Sequence, residues 1–250
     1  MSLWALGGSA AWVLTSLILG VRLLALAQQT RRVPELTIGL TFLLSGGLAS
    51  VLFVLALGMA SSHAALSQAL EILGWLCSLV GQISLCVFIW RVFRPAARWA
   101  AGLVAVLALV SAGSLVAKAM TAGFGVYPPT STGFWVGWAT RGATMAWASI
   151  EALRYYRKMR RRLAVGLADP LLVNRFALWG LSAACGLLMI GLTAVTQAAN
   201  GAYYDAGVTW VRSAFGLVAA VSNWLVFFAP QSYRRAFEAR AGGLPVELAR

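Results

Sequence analysis

Seven stretches of this chain are apolar over lengths that match a bilayer, and that single feature leaves few folds open to it. A hydrocarbon core about 30 Å thick is crossed by roughly 20 residues of α-helix. The stretches run over residues 3–26, 35–60, 65–90, 99–120, 132–155, 171–198 and 207–229. Soluble domains are about half apolar and about a quarter charged. This chain of 250 residues is 60% hydrophobic and 11% charged, with a mean hydropathy of +0.80. A soluble core of that size has no room for so much apolar surface. The expected fold class is an all-α integral membrane protein: a seven-transmembrane-helix bundle over residues 1–230, followed by a short basic tail, 231–250.

The net charge of +13 would ordinarily raise nucleic-acid binding, but the positions of the basic residues decide otherwise. Seventeen of the twenty fall in four clusters beside the apolar stretches: Arg22, Arg31 and Arg32; Arg91, Arg94 and Arg98; Arg154 through Arg162 with Arg175; and Arg234, Arg235, Arg240 and Arg250. The alternate connections (Ser61 to His63, Thr121 to Ser131, Asn200 to Gly207) hold no Lys or Arg. Basic loops stay in the cytoplasm, so the N-terminus is expected outside and the C-terminus inside. The partners implied are the lipid bilayer itself and anionic lipid at the cytoplasmic basic loops, with no nucleic acid. The basic residues are nearly all Arg, and Ala, Leu and Gly abound, which points to a GC-rich bacterial genome and a multi-pass protein of the inner (plasma) membrane. Met1-Ser2-Leu3-Trp4 lacks a basic leader region, so the first span is expected to stay rather than be cleaved. Cys77, Cys86 and Cys185 are an odd count inside apolar stretches and are expected to pack, not to pair.

Five charges fit neither cytoplasmic loops nor tail: Glu71, Lys118, Arg141, Asp205 and Arg212. All fall on the outer half. Glu71 lies roughly 9 Å and Arg141 roughly 13 Å below the outer end of its span at the helical rise per residue. An ionised group at such depth costs several kcal/mol unless it is partnered. Helical spacing aligns Glu71, Trp75, Ser78 and Gln82 on the third span, and Ser111, Ser114 and Lys118 on the fourth. It also aligns Asp205, Thr209, Arg212, Gly216 and Asn223 on the seventh. Polar stripes turn inward in an apolar bundle. The expectation is an outward-opening pocket among the third, fourth, fifth and seventh spans, with Glu71, Gln82, Lys118, Arg141, Arg212 and Asn223 as its ligand-binding residues. Three cations against two anions favour an anionic small molecule or lipid headgroup. The competing expectation is a structural ion-pair network, Glu71 with Arg141 and Asp205 with Arg212, in which Lys118 snorkels.

The layout resembles the rhodopsins in topology alone. Retinal attachment needs a mid-span Lys on the seventh helix, where this chain reads Phe215-Gly216-Leu217-Val218-Ala219-Ala220-Val221-Ser222-Asn223. Pro230 and Tyr233 loosely resemble the Pro-x-x-Tyr closure of G-protein-coupled receptors, but Ala229 stands where those receptors have Asn. His63 is the only histidine, which excludes bis-His haem and leaves zinc without ligands. Gly46, Gly47 and Ser50 read as a small-residue packing contact. Neither cofactor, metal nor catalytic residue is expected, and enzyme activity is not. What remains is a receptor-like sensor or signal relay, which would also engage a protein partner. The alternatives are a small-molecule transporter of 3+1+3 helix architecture, hinted at by the near-equal spacing of Pro34 and Pro95 and of Pro170 and Pro230, and a structural subunit of a membrane complex.

Overall fold

Proline and charge set the ends of the helices, and the apolar runs between them set their lengths. The computed structural model describes residues 3–121, 131–200 and 206–242, and every element among them is a helix. The elements are α1 (Leu3–Thr30), α2 (Val33–Leu40), a π-helical turn (Thr41–Leu48), α3 (Ala49–Met59), α4 (Ala64–Phe93), α5 (Arg98–Thr121), α6 (Thr132–Ala164), α7 (Pro170–Asn200), α8 (Ala206–Phe228) and α9 (Gln231–Gly242). The second expected span is thus one rod, α2 running through the π turn into α3.

Six rods are long and apolar enough to cross a membrane: Gly7–Thr30, Val33–Met59, Ala64–Phe93, Arg98–Met120, Pro170–Ala199 and Gly207–Phe228. The fifth expected span, α6, is long enough but too polar to join them, because Arg141 and Glu151 interrupt it and six basic residues follow Glu151 before Ala164. It nevertheless packs along α4, α5 and α7.

Neighbours in sequence are neighbours in space. The order α1, α2–α3, α4, α6, α7, α8 closes on itself through α1–α8 contact, while α5 lies outside, against α4 and α6. The described arginines of these clusters therefore lie toward one end of the bundle. Glycine sets the closest approaches. A Cβ on Gly20 would lie 2.6 Å from Leu43 N, and one on Gly81 2.6 Å from Ser45 Cβ. Gly46 and Gly47 face Ser16 and Leu17 of α1, which is the expected packing contact. The π turn sits between these two crossings, and Thr41 Oγ1 reaches Gly81 O at 3.1 Å.

Toward the arginine-rich end the ring is filled by aromatic side chains. Phe42 meets Phe227, Phe227 meets Trp179, Trp179 stacks on Phe88, and Phe93 meets both Tyr155 and Phe176. Edge-to-face and offset contacts of this kind add about 0.5–1.5 kcal/mol each to the area they bury.

Gly20→Ala should lower stability by about 1–3 kcal/mol, since backbone atoms cannot yield to the added methyl. Gly58→Ala, where a Cβ meets nothing within 4 Å, should raise it by about 0.4–1 kcal/mol. Detergent unfolding of the two variants side by side checks the pair.

Candidate functional site

The polar stripe of α4 faces two helices, not three. Ser78 Oγ accepts from Arg141 Nη2 of α6 at 3.0 Å. Gln82 Nε2 donates to Ser111 Oγ of α5 at 3.1 Å and lies 3.3 Å from Thr144 Oγ1 of α6. Thr144, completely buried, donates to Thr140 O at 2.9 Å and touches Cys86 Sγ at 3.5 Å. Gln82 is thus the joint of three helices, and its spacing from Trp75 and Ser78 is what brings all three side chains to one line.

Trp75 carries the charge. The Lys118 ammonium lies 4.2 Å from the centre of its ring and the Arg141 guanidinium 4.4 Å from the same ring. Arg141 is also 6.0 Å from the Trp138 ring. Contacts of this kind are worth about 0.5 kcal/mol when exposed and about 2 when desolvated, and Lys118 is only 1% exposed. It feels the attraction of Glu71 and the repulsion of Arg141. Glu71 Oε2 is buried without a hydrogen-bond partner among the described residues.

Beneath the ring is a cavity of about 20 Å³, lined by Trp75, Gln82, Ser111, Ser114, Thr140 and Arg141 with three apolar neighbours. That is room for one water molecule. Ser114 and Thr140 donate their hydroxyl protons to Ser111 O and Gly137 O, so both turn lone pairs toward the space while Arg141 supplies donors. α5 forms one wall. Among the six apolar rods it has the smallest buried share, 22%, and among the described residues its packing is mainly against α4 and α6.

Of the six expected site residues, Glu71, Gln82, Lys118 and Arg141 are brought together. Arg212 and Asn223 are not. They lie on α8, which packs against α1 and α7, with Gly216 3.5 Å from Gly8 O as judged by an added Cβ. Helical spacing identifies an inward face but not the neighbour it meets, and here that neighbour is the other side of the ring. The expected Glu71–Arg141 ion pair is absent: among the described residues no acid lies within 4 Å of Arg141, which uses Ser78 and Trp75 instead. Lys118 points inward rather than snorkelling. Asp205 lies outside the described residues.

A second charged group was missed from sequence. Glu151, 1% exposed, accepts from Arg94 Nε at 3.1 and 3.0 Å through its two oxygens, with Arg154 Nη1 at 3.5 Å. It lies seven residues beyond the buried Thr144, two turns along the same side of α6, and that spacing was the available signal. Its place among arginines near the chain's basic loops disguised it as a surface residue.

Replacing Gln82 by Leu should cost about 1–3 kcal/mol through the donors and acceptors it strands. Backbone hydrogen exchange should rise in α5 before it rises in α1 or α8; equal loosening everywhere would show that Gln82 is no joint. Comparison with known proteins adds nothing to this geometry: no protein-family model, curated sequence or solved structure matches the chain.

Proposed function

We propose that the chain is a seven-span protein of the bacterial inner membrane, N-terminus outside, that senses an anionic group at the α4–α5–α6 site and relays its occupancy through α5. In this reading α6 is the seventh span, and its polar groups are tolerated because they face α4, α5 and α7. The observation that carries the reading is the pair of cations set on one indole beside a hydroxyl-lined cavity. Glu71 attracts Lys118 and Arg141 repels it, so these three groups together carry one net positive charge in a low-dielectric setting, and an anion between or below the cations would neutralise it.

The cavity holds one water as it stands. A carboxylate or phosphate headgroup therefore needs more room, and the wall that yields at least cost is α5, the least buried of the six apolar rods. Binding energy spent on separating α5 from α4 and α6 is the signal: a ligand shifts an equilibrium by its differential affinity for the two states. Lys118 and Arg141 would hold the anion, Gln82 and the Ser111 hydroxyl would orient it, and Glu71 would set the net charge of the empty site.

Transport is less well supported. Its pathway would have to continue toward the arginine-rich end, where Phe88, Trp179 and Phe227 fill the ring and the α4 stripe turns apolar past Cys86.

The test is thermal unfolding of the purified protein in detergent against carboxylates, inorganic phosphate and anionic lipids. A ligand at about 100 times its Kd should stabilise the folded state by about 2.7 kcal/mol. The shift should vanish in Arg141→Ala and Lys118→Ala and persist in Arg212→Ala and Asn223→Ala, because α8 lies elsewhere. Should no anion move the wild type while Arg141→Ala merely melts early, the cluster is a structural network and the proposal falls.

A further inference from the structure

The helices do not all end at one level. At the arginine-rich end α4 stops at Phe93, whose ring meets Tyr155 of α6 and Phe176 of α7 at 5.1 and 6.2 Å. Arg94 and Arg98, with the Trp90 and Trp99 rings, mark that level as the membrane boundary, where basic and indole side chains gather. Past Tyr155, α6 continues to Ala164, roughly another 14 Å at the helical rise. The headgroup layer on each side is only about 5–7 Å deep. The α6–α7 hairpin therefore stands clear of the lipid.

Its tip is built rather than loose. Gly166, at φ +72°, closes the turn, with Gly166 N donating to Leu163 O at 3.0 Å and Leu167 N to Arg162 O at 2.8 Å. Asp169 Oδ1 caps α7 by accepting from Leu171 N at 2.9 Å. Tyr233 of α9 is hydrogen-bonded to Asn174 and braces the base. On this rigid support Lys158, Arg160, Arg161 and Arg162 are exposed, and Val165 and Leu167 are 67% and 76% exposed. From Arg154 to Arg175 the only acid is Asp169.

We infer that this tip docks an acidic protein surface in the compartment at the arginine-rich end, with Val165 and Leu167 entering an apolar recess and the cations around them meeting carboxylates. Fixed like charges with a single acid, Asp169, among them raise the local potential and draw an oppositely charged partner. Exposed apolar side chains inside a charged rim have the anatomy of a small protein interface. The bilayer's own anionic lipid is the weaker partner because the tip points away from it, and nucleic acid would leave Val165 and Leu167 in water. The inference is independent of the anion site.

The full chain, carrying a photoreactive residue in place of Leu167, is irradiated in its native membrane and its adducts are identified by mass spectrometry. A discrete adduct with an acidic protein is expected, reduced at least tenfold in R160E/R161E/R162E. Those positions are exposed, so the melting temperature of that variant should stay at the wild-type value. The identified protein should then bind the chain in neutral phosphatidylcholine nanodiscs, more weakly as salt rises. Adducts with phospholipid or nucleic acid only, a protein adduct that survives the charge reversal, or no adduct would each overturn the inference. A fluorophore on Leu167→Cys gives a separate check. Its emission should stay water-like in phosphatidylcholine and phosphatidylserine vesicles alike, and a blue shift on the anionic vesicles would assign the tip to lipid instead.

Discussion

A helix as polar as α6 belongs in an apolar bundle only if its polar side chains find partners on the helices around it, and much of the architecture follows from that demand. Arg141 takes Ser78 and the Trp75 ring, Thr144 takes Gln82, and Glu151 takes Arg94. All four partners come from α4 or the residue that follows it, in the same order along both helices, so α4 and α6 run parallel and in register. In hydrocarbon an unpartnered group of this kind costs several kcal/mol. The ladder therefore fixes the register of α6 more firmly than apolar packing does, since lipid tails are as apolar as the side chains they would displace. α5 is excluded from the ring because its own polar residues, Ser111 and Lys118, reach the α4–α6 seam from outside.

The two ends of the ladder differ in kind. At Glu151 one buried carboxylate meets two arginines, Arg94 about one-third exposed and Arg154 mostly exposed, so the excess positive charge lies toward solvent. Much of that pair's attraction is screened by solvent, and its worth lies in register more than in energy. At Trp75 two cations meet one ring. The first arrangement holds two helices together by a direct ion pair; the second gathers Lys118 and Arg141 on one indole, with Glu71 attracting Lys118. α5 runs along both ends of the seam: Trp99 packs on Trp147 near the Glu151 clamp, and Ser111 and Lys118 reach Gln82 and Trp75 at the other end.

How much of this the sequence shows depends on the length scale of each interaction. Helix existence and order were legible because they are set by runs of twenty residues and by the prolines and arginines between them. The α4 stripe was legible because Glu71, Trp75, Ser78 and Gln82 repeat at helical spacing. Helix-to-helix assignment was not: the seventh-span stripe through Arg212 and Asn223 is as regular, yet α8 turns it toward α1 and α7, where Gly8 and Gly216 allow close approach. Small residues decided that contact, and their pattern recurs on nearly every helix of the chain. The reading of 132–155 as a span rested on length, and α6 is more polar than the other rods. Six rods pass as spans on composition, while α6 needs the positions of its partners to be understood at all.

The uneven lengths of the helices carry the same logic outward. Residues of α6 from Thr132 to Glu151 cover about 30 Å at the helical rise, one hydrocarbon thickness, and the ladder with α4 occupies that interval. Nothing in the ladder requires the basic turns that follow. They are held as helix by a capped, glycine-closed turn and by the Asn174–Tyr233 contact, so conformational entropy that a free basic loop would retain has been given up. Ordering charged, solvent-exposed residues against their mutual repulsion brings no stability to the bundle itself. The compensation is local: the turn's own hydrogen bonds, the Asp169 cap and the Asn174–Tyr233 contact hold the backbone while the basic and apolar side chains of the tip stay open to solvent.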